Sequence, residues 1–351
     1  MLTYIMFSKL KKRIDKELVD YIGSIDKLYS LSKLSPTLFN NIKEFACRDG
    51  KRIRPILFCI GYLGFSKKTP YGLYRSALSL ELLHDFMLVH DDIIDKSDKR
   101  RGKPAMHTLL KKSLGRNKKI KFNGQDLAIV AGDVMYAMAL DAFITVRENM
   151  ERKEKTLKKL FLAALYTGSG EFIELLLGSK PIEKVSRMDI YKIYDYKTAN
   201  YTFASPLTMG ATLAGAKPGQ IKKLHSYGML LGRAFQIKDD IIGTFGKVKE
   251  IGKSNLTDIK EAKRTLLIWY AFNHAGKNDR QLIKKVMENK ITRDYELIKI
   301  RRIMQETGAL NYAQGQIQDL YRQALKQIRT LEMKQSYKQA LDSFSQKIIK
   351  T

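Results

Sequence analysis

Apolar residues recur at i, i+3, i+4 and i+7 along segments 73–97, 125–148, 156–178, 220–243 and 308–348, the spacing that gathers them on one face of an α-helix. Period-two runs of β-branched and aromatic residues are hard to find, and only seven prolines interrupt the 351 residues. The pattern predicts an all-α helical bundle whose functional site lies between facing helices. Polar interruptions near 65–70, 97–124, 179–187, 215–219, 245–256 and 274–279 read as loops within a single domain spanning 1–351. None of them combines length with the composition shift of a linker. The segment SLGRNKKIKFNG at 113–124 reads as a mobile, basic surface excursion.

Composition narrows the class. Hydrophobic residues at 44% are enough for a substantial core. The excess of 64 Lys+Arg over 36 Asp+Glu gives a net charge of +28, which favours polyanionic partners: nucleic acid, an anionic membrane surface or phosphorylated metabolites. No motif with base-stacking aromatics accompanies the charge, so nucleic acid is not expected. Cys47 and Cys59 are the only cysteines, which implies no disulfide framework and a reducing compartment. The opening MLTYIMFSKLKKR lacks a long apolar core and reads as neither signal peptide nor membrane span. The expectation is a soluble cytoplasmic protein.

The chemistry concentrates in HDDIIDKSDKRRGKPAMH at 90–107. On a helix, Asp91 and Asp95 lie one turn apart on one face and Asp92 is rotated by about 100°. The spacing separates two ligand-like carboxylates from a supporting one. Like charges on one face repel unless a cation lies between them, and an all-oxygen set suits a hard ion such as Mg²⁺. His84 shares that face. A second DDII tetrad at 239–242 places Gln236, Asp239 and Asp240 at helical spacings. Val89, Ile93 and Ile94 flank the first tetrad and Phe235, Ile237, Ile241 and Ile242 the second, which predicts apolar, buried surroundings for both. Magnesium held by carboxylates keeps positions that phosphate oxygens fill. A diphosphate would also want fixed cations. Arg100 and Arg101 diverge as neighbours and can serve two anions, and Lys51 and Arg54 in DGKRIRP form a second anion cradle at a loop-to-helix junction.

These segments resemble the trans-isoprenyl diphosphate synthases, or polyprenyl synthetases, most closely the archaeal-type short-chain enzymes. The matching stretches are GKRIRP at 50–55, ELLHDFMLVHDDIID at 81–95, RRGKPAMH at 100–107, AGD at 131–133, YKTANYTFASPLTMGA at 196–211, FQIKDDIIGTFG at 235–246, GKSNLTDIKEAKRTLL at 252–267 and ETGALNYA at 306–313. The resemblance implies an all-α fold around a deep central cavity, a homodimer, and two aspartate motifs facing each other across the cavity mouth. It also implies that Asp91, Asp95 and Asp239 hold three Mg²⁺ ions on the diphosphate of the allylic substrate, with Asp92 and Asp240 in support. Arg100, Lys197, Lys253 and Lys263 would grip the same diphosphate. Lys51, Arg54, His84 and Arg101 would bind isopentenyl diphosphate, and Thr198 and Gln236 would turn oxygen dipoles towards the developing carbocation.

The sequence departs from the family's common pattern at Gly243, where a third aspartate is frequent, at Glu171 and Glu174, where glutamine and aspartate are frequent, and at Ala262, which replaces a frequent glycine. Phe86, about 7.5 Å below Asp91 along the helix, and Met87 beside it resemble the chain-length position of enzymes that stop at geranylgeranyl diphosphate. Farnesyl diphosphate or a mixture is the alternative product. A class I terpene cyclase would share the metal chemistry but needs no second diphosphate pocket. The remaining alternative is a non-catalytic regulatory or anionic-surface-binding protein; a decayed regulatory partner would have lost acids from its first motif, which are intact here, while a membrane-surface role could coexist with catalysis.

Overall fold

The structure is a computed structural model and describes residues 2–114, 121–246, 257–288 and 293–349. Lys253, residues 115–120 of the basic excursion and 247–256 of an expected loop lie outside the described residues. The chain divides into two compact units, Met1–Lys158 with Met209–Gly215, and Lys159–Thr208 with Ala216–Thr351. Among the described residues both are all-α apart from one two-stranded hairpin.

In the first unit, α1 (Leu2–Tyr29), α2 (Leu31–Leu34), α3 (Pro36–Ala46) and α4 (Ile53–Leu63) lead to α5 (Leu73–Ile94). The hairpin β1 (Lys99–Arg100) and β2 (Lys103–Pro104), α6 (Met106–Ser113) and α7 (Gly124–Ile144) follow. The expected loop 97–124 therefore contains both a hairpin and a helix. Met106 and Leu110 are buried by α6, a stripe too short to register against its basic flanks. The α5 helix buries Leu73, Ala77, Leu78, Leu80, Leu82, Leu83, Leu88 and Val89 and packs chiefly along α7. Apolar residues cover most of its circumference, as suits a central helix. Asn123 and Asp126 close a capping box at the start of α7. Tyr21 of α1 donates to the Met138 carbonyl at 2.7 Å and ties α1 across α7.

The helix α8 (Met150–Ser179) continues into the second unit, followed by α9 (Arg187–Ile193), a π-helix (Tyr194–Ala204) and α10 (Ser205–Leu213). The 28-residue α11 (Pro218–Phe245) is central here and packs on the π-helix and on α15 (Ala309–Arg329). Between α11 and α15 come a single turn (Thr257–Lys260), α12 (Leu266–His274), α13 (Lys277–Met287) and α14 (Asp294–Glu306), and the chain ends in α16 (Gln335–Ile349). The periodic segment 308–348 is thus two helices. Its break buries Leu331 and Met333 and spends Gln220 Oε1 on the Glu332 amide at 2.8 Å. On α11, a Cβ at Gly228 would lie 2.5 Å from Ala204 Cα and one at Gly232 2.4 Å from Ala199 Cα. That seam of small residues lets the π-helix lie directly against α11, and π geometry is a frequent companion of functional sites.

By length and composition α7 and α8 are both apolar enough to cross a bilayer, with 44% and 28% of their most apolar windows buried. Ile129, Val130 and Ile144 of α7 are exposed, as are Leu162, Leu165, Phe172 and Leu176 of α8. At their spacings the four α8 residues form one stripe.

Candidate functional site

The first unit carries the first acid motif at the end of α5. Asp91 is half-buried and Asp95 exposed, while Asp92 is fully buried. The two face-sharing carboxylates are thus separated from the supporting one, as the helical spacing requires. The hairpin brings Arg100 back to the helix end, where its Nε donates to Asp92 Oδ1 at 2.8 Å and its Nη2 makes a second, shorter bond to the same oxygen. Burial pushes the Asp92 carboxyl up, and the Arg100 guanidinium pulls it back without cancelling the shift. Ile94 is exposed, against the expectation of apolar burial, because it lies three residues after Asp91 and shares the acid face.

Beside this motif lies a cluster of cations. Lys51 is exposed and Arg54 half-buried in the first turn of α4. Arg101 occupies the hairpin turn at φ 54, followed by Gly102 at φ 74. A two-residue turn with both φ positive suits the twist of a hairpin, but only glycine adopts it without strain. Arg101 is therefore held in a costly backbone conformation. Its Nη2 stands 3.7 Å from Glu81 Oε1 and 3.7 Å from Asp85 Oδ1. Arg52, at φ 50, donates from Nη1 to Glu81 at 2.6 Å and from Nε to Asp15 at 2.9 Å. Burial, then Arg54, Arg101, Arg100 and Arg52, push His84 well below the usual imidazole range. A neutral imidazole adds hydrogen-bonding capacity without adding charge. The Phe86 ring lies 4.6 Å from His90 and 5.4 Å from Tyr136 of α7, centroid to centroid, with Met87 half-buried beside it.

The second unit carries the other motif on α11. Asp239 is exposed and Asp240 buried. Gln236 Nε2 donates to Asp240 Oδ1 at 2.9 Å, Thr198 Oγ1 donates to Gln236 Oε1 at 2.7 Å, and the Tyr194 hydroxyl donates to Asp240 Oδ2. Tyr194 also accepts the Leu266 amide at 3.0 Å. Burial first, then Asp240, push its phenol well above the usual range, so it stays protonated. The Thr198 proton is committed to Gln236, and the lone pairs of its oxygen are what remain to face a cation. Lys197, also on the π-helix, pairs with Glu171 of α8 at 2.5 Å and with Glu174. Lys263 pairs with Glu261 at 3.0 Å. Ala262 sits at φ 53, which gives the physical reason a glycine suits that position. Ile242 is exposed, again because it lies three residues after the motif's outward aspartate.

Among the described residues no three His, Cys, Asp or Glu side chains form a metal-holding cluster. The donor chemistry nonetheless fits a hard cation. Each motif turns carboxylate oxygens outward, and the remaining positions of such an ion are taken by phosphate and water oxygens.

Sequence reasoning missed Arg52, Glu81, Asp85, Tyr194 and Arg264. Arg264 is buried and donates to the Gly178, Lys180, Ala262 and Met287 carbonyls at 2.7–3.1 Å, holding the end of α8 against the 262–266 segment. Only Glu81 and Asp85 left a signal, as acids at i and i+4 on an otherwise apolar helix.

Residues 35–304 match the family model for polyprenyl synthetase. The chain is 28% identical over 293 residues to a short chain isoprenyl diphosphate synthase of Methanocaldococcus jannaschii, covering 83% of this chain and 81% of that protein. It is 32% identical over 271 residues to a geranylfarnesyl diphosphate synthase of Aeropyrum pernix, covering 76% and 79%. A crystal structure of geranylgeranyl pyrophosphate synthase from Corynebacterium glutamicum, complexed with isoprenyl diphosphate and magnesium, superposes with a TM-score of 0.88. It is 26% identical and covers 97% of this chain and 98% of that one.

Proposed function

Because the chain belongs to the polyprenyl synthetase family, and is a trans-prenyltransferase, we propose that it condenses isopentenyl diphosphate with dimethylallyl, geranyl and farnesyl diphosphates, with geranylgeranyl diphosphate as its main product. The observation that carries this reading lies within the first unit: a carboxylate face at Asp91 and Asp95 and, on the same helix, the neutral His84 imidazole with the Arg54 and Arg101 cations beside it. One anchors an ionising allylic diphosphate and the other a second diphosphate. A terpene cyclase would use only the first.

Asp91 and Asp95 of the first unit and Asp239 of the second are the carboxylates that would take magnesium, three ions in all, and the metal would supply the positive charge that lets the allylic diphosphate depart. Arg100 of the first unit and Lys197 and Lys263 of the second would supply cations for that anion, as would Lys253, which lies outside the described residues. Arg100 also keeps Asp92 neutralised. Glu171 and Glu174 hold the Lys197 ammonium until diphosphate competes for it. Preorganised charge of this kind commonly contributes several kcal/mol per strong contact. The Thr198 and Gln236 oxygens face the cation, the double bond of isopentenyl diphosphate attacks it, and the released diphosphate takes the proton lost. Phe86, braced by Tyr136 and His90, is the floor for the growing chain.

The whole of 1–351 works as one catalytic domain, and a match over 35–304 that spans both compact units supports this. The exposed apolar residues of α7 and the exposed stripe on α8 support a homodimer, since a monomer seldom leaves apolar helical surface of this kind in water. Burial in such an interface also accounts for their apolar length in a cytoplasmic enzyme. The charge of +28 favours peripheral contact with anionic membranes, where the products partition.

The test is incubation of the purified chain with magnesium, labelled isopentenyl diphosphate and each of the three primers, followed by analysis of product length. Consumption of isopentenyl diphosphate with a twenty-carbon product is expected; cyclisation of a primer alone would overturn the reading. Phe86→Ala is expected to lengthen the product, and an unchanged length removes Phe86 as the floor.

A further inference from the structure

Asp85 lies one turn after Glu81 on α5, at 0% exposure, and neither of its carboxyl oxygens accepts a hydrogen bond. Packing alone would favour an apolar residue there. The cation Arg101 stands 3.7 Å from Asp85 Oδ1 and equally far from Glu81, beyond hydrogen-bond reach. Glu81 is already satisfied by Arg52 at 2.6 Å. Nη2 of Arg101 thus stands equally far from two acids without giving an N–H group to either. Gly50 adds to the arrangement, since a Cβ there would come within 3.3 Å of Arg101 Nη1.

We infer that Asp85 is a positioning residue of the homoallylic diphosphate pocket, which fixes Arg101 from below and leaves its donors for the incoming diphosphate. The inference rests on the reading of Lys51, Arg54, His84 and Arg101 as that pocket. The groups facing Asp85 are Glu81 on its own helix, Arg101 from the hairpin, Arg52 and Arg54 at the start of α4, and Cys47 after α3. Burial, then Glu81, hold its carboxyl well above the ordinary carboxylate range against the three arginines. A diphosphate on Arg101 brings further negative charge and favours the protonated form still more. Affinity for isopentenyl diphosphate should therefore be greatest below the raised pKa and fall as pH rises through it, by at most about tenfold per pH unit for one linked proton.

The experiment is calorimetric binding of isopentenyl diphosphate to the full chain across a pH series, in two buffers of different ionisation enthalpy, for wild type, Asp85→Asn and Asp85→Leu. The ligand's own ionisation is common to all three. Wild type is expected to take up a proton that Asp85→Asn does not, and to show the alkaline loss of affinity that Asp85→Asn lacks. Asp85→Leu should melt no lower than wild type yet bind isopentenyl diphosphate several-fold more weakly, with KM for the allylic primer unchanged. Equal proton uptake in wild type and Asp85→Asn, together with undiminished binding by Asp85→Leu, would overturn the inference while leaving the reaction assignment standing. Absence of any wild-type binding would overturn both.

Discussion

The two aspartate motifs begin with the same four letters, DDII at 91–94 and 239–242, and each turns its first aspartate outward and buries its second. The buried carboxylates are stabilised by different means. Asp92 rests on a guanidinium, Arg100. Asp240 accepts from the Tyr194 phenol and the Gln236 amide. The first motif is a charge-compensated unit and its integrity depends on one cation. The second distributes its support over a hydrogen-bonded chain from Thr198 through Gln236 to Asp240, which no single residue carries. The same local spacing is thus met by different partners, a guanidinium at Asp92 and a phenol and an amide at Asp240.

Six substitutions sharpen this contrast. The largest effect is expected from the outward acids. Asp91→Ala should keep its fold by circular dichroism and lose at least about 100-fold in turnover, and Asp239→Ala should follow it, since each removes ligand charge where leaving-group charge develops. Near-normal turnover by Asp91→Ala in a magnesium assay would refute its role. Next, Arg100→Met strands a buried carboxylate and should cost about 3 kcal/mol in denaturant unfolding. Adding Asp92→Asn should recover part of the loss, because no buried charge then remains; if the double variant is no more stable than the single, charge compensation is not what Arg100 provides. Tyr194→Phe should cost less, about 1–2 kcal/mol, since Gln236 still serves Asp240. A loss as large as that of Arg100→Met would erase the distinction between the motifs. The smallest effect belongs to Ala262→Gly, which relieves the left-handed backbone beside the segment whose Leu266 amide holds Tyr194. It should stabilise the protein by no more than about 1 kcal/mol, read as a small rise in melting temperature.

The helices of this chain were legible because amphipathic period is a local property. Segments 73–97 and 220–243 became α5 and α11 with boundary shifts of three residues or fewer. The helix α6 was not legible, because its apolar stripe is short and its last turn carries Lys111 and Lys112. In the site, the split between Asp91/Asp95 and Asp92 followed from helical rotation alone. The partners did not follow. Nothing in the spacing of Arg100 and Arg101 says that one would bond Asp92 and the other stand off Glu81 and Asp85, since a two-residue hairpin turn made that division. Tyr194 is 46 residues from Asp240 and gives no local sign of the contact. The expected burial of Ile94 and Ile242 failed for a related reason: hydrophobicity predicts that a residue gains by burial, but the helical face it occupies decides whether burial is available.

By itself, then, the sequence determined the helical class, the order of the motifs, and which aspartates of each tetrad could share a face, because covalent spacing and helix geometry are enough for these. Tertiary structure alone decided that Arg100 would reach Asp92, that the Tyr194 phenol and the Gln236 amide would reach Asp240, and that Asp85 would be sealed beneath Arg101. Those outcomes depend on which distant side chains arrive at a dry position, where the low dielectric makes the choice of partner energetically decisive.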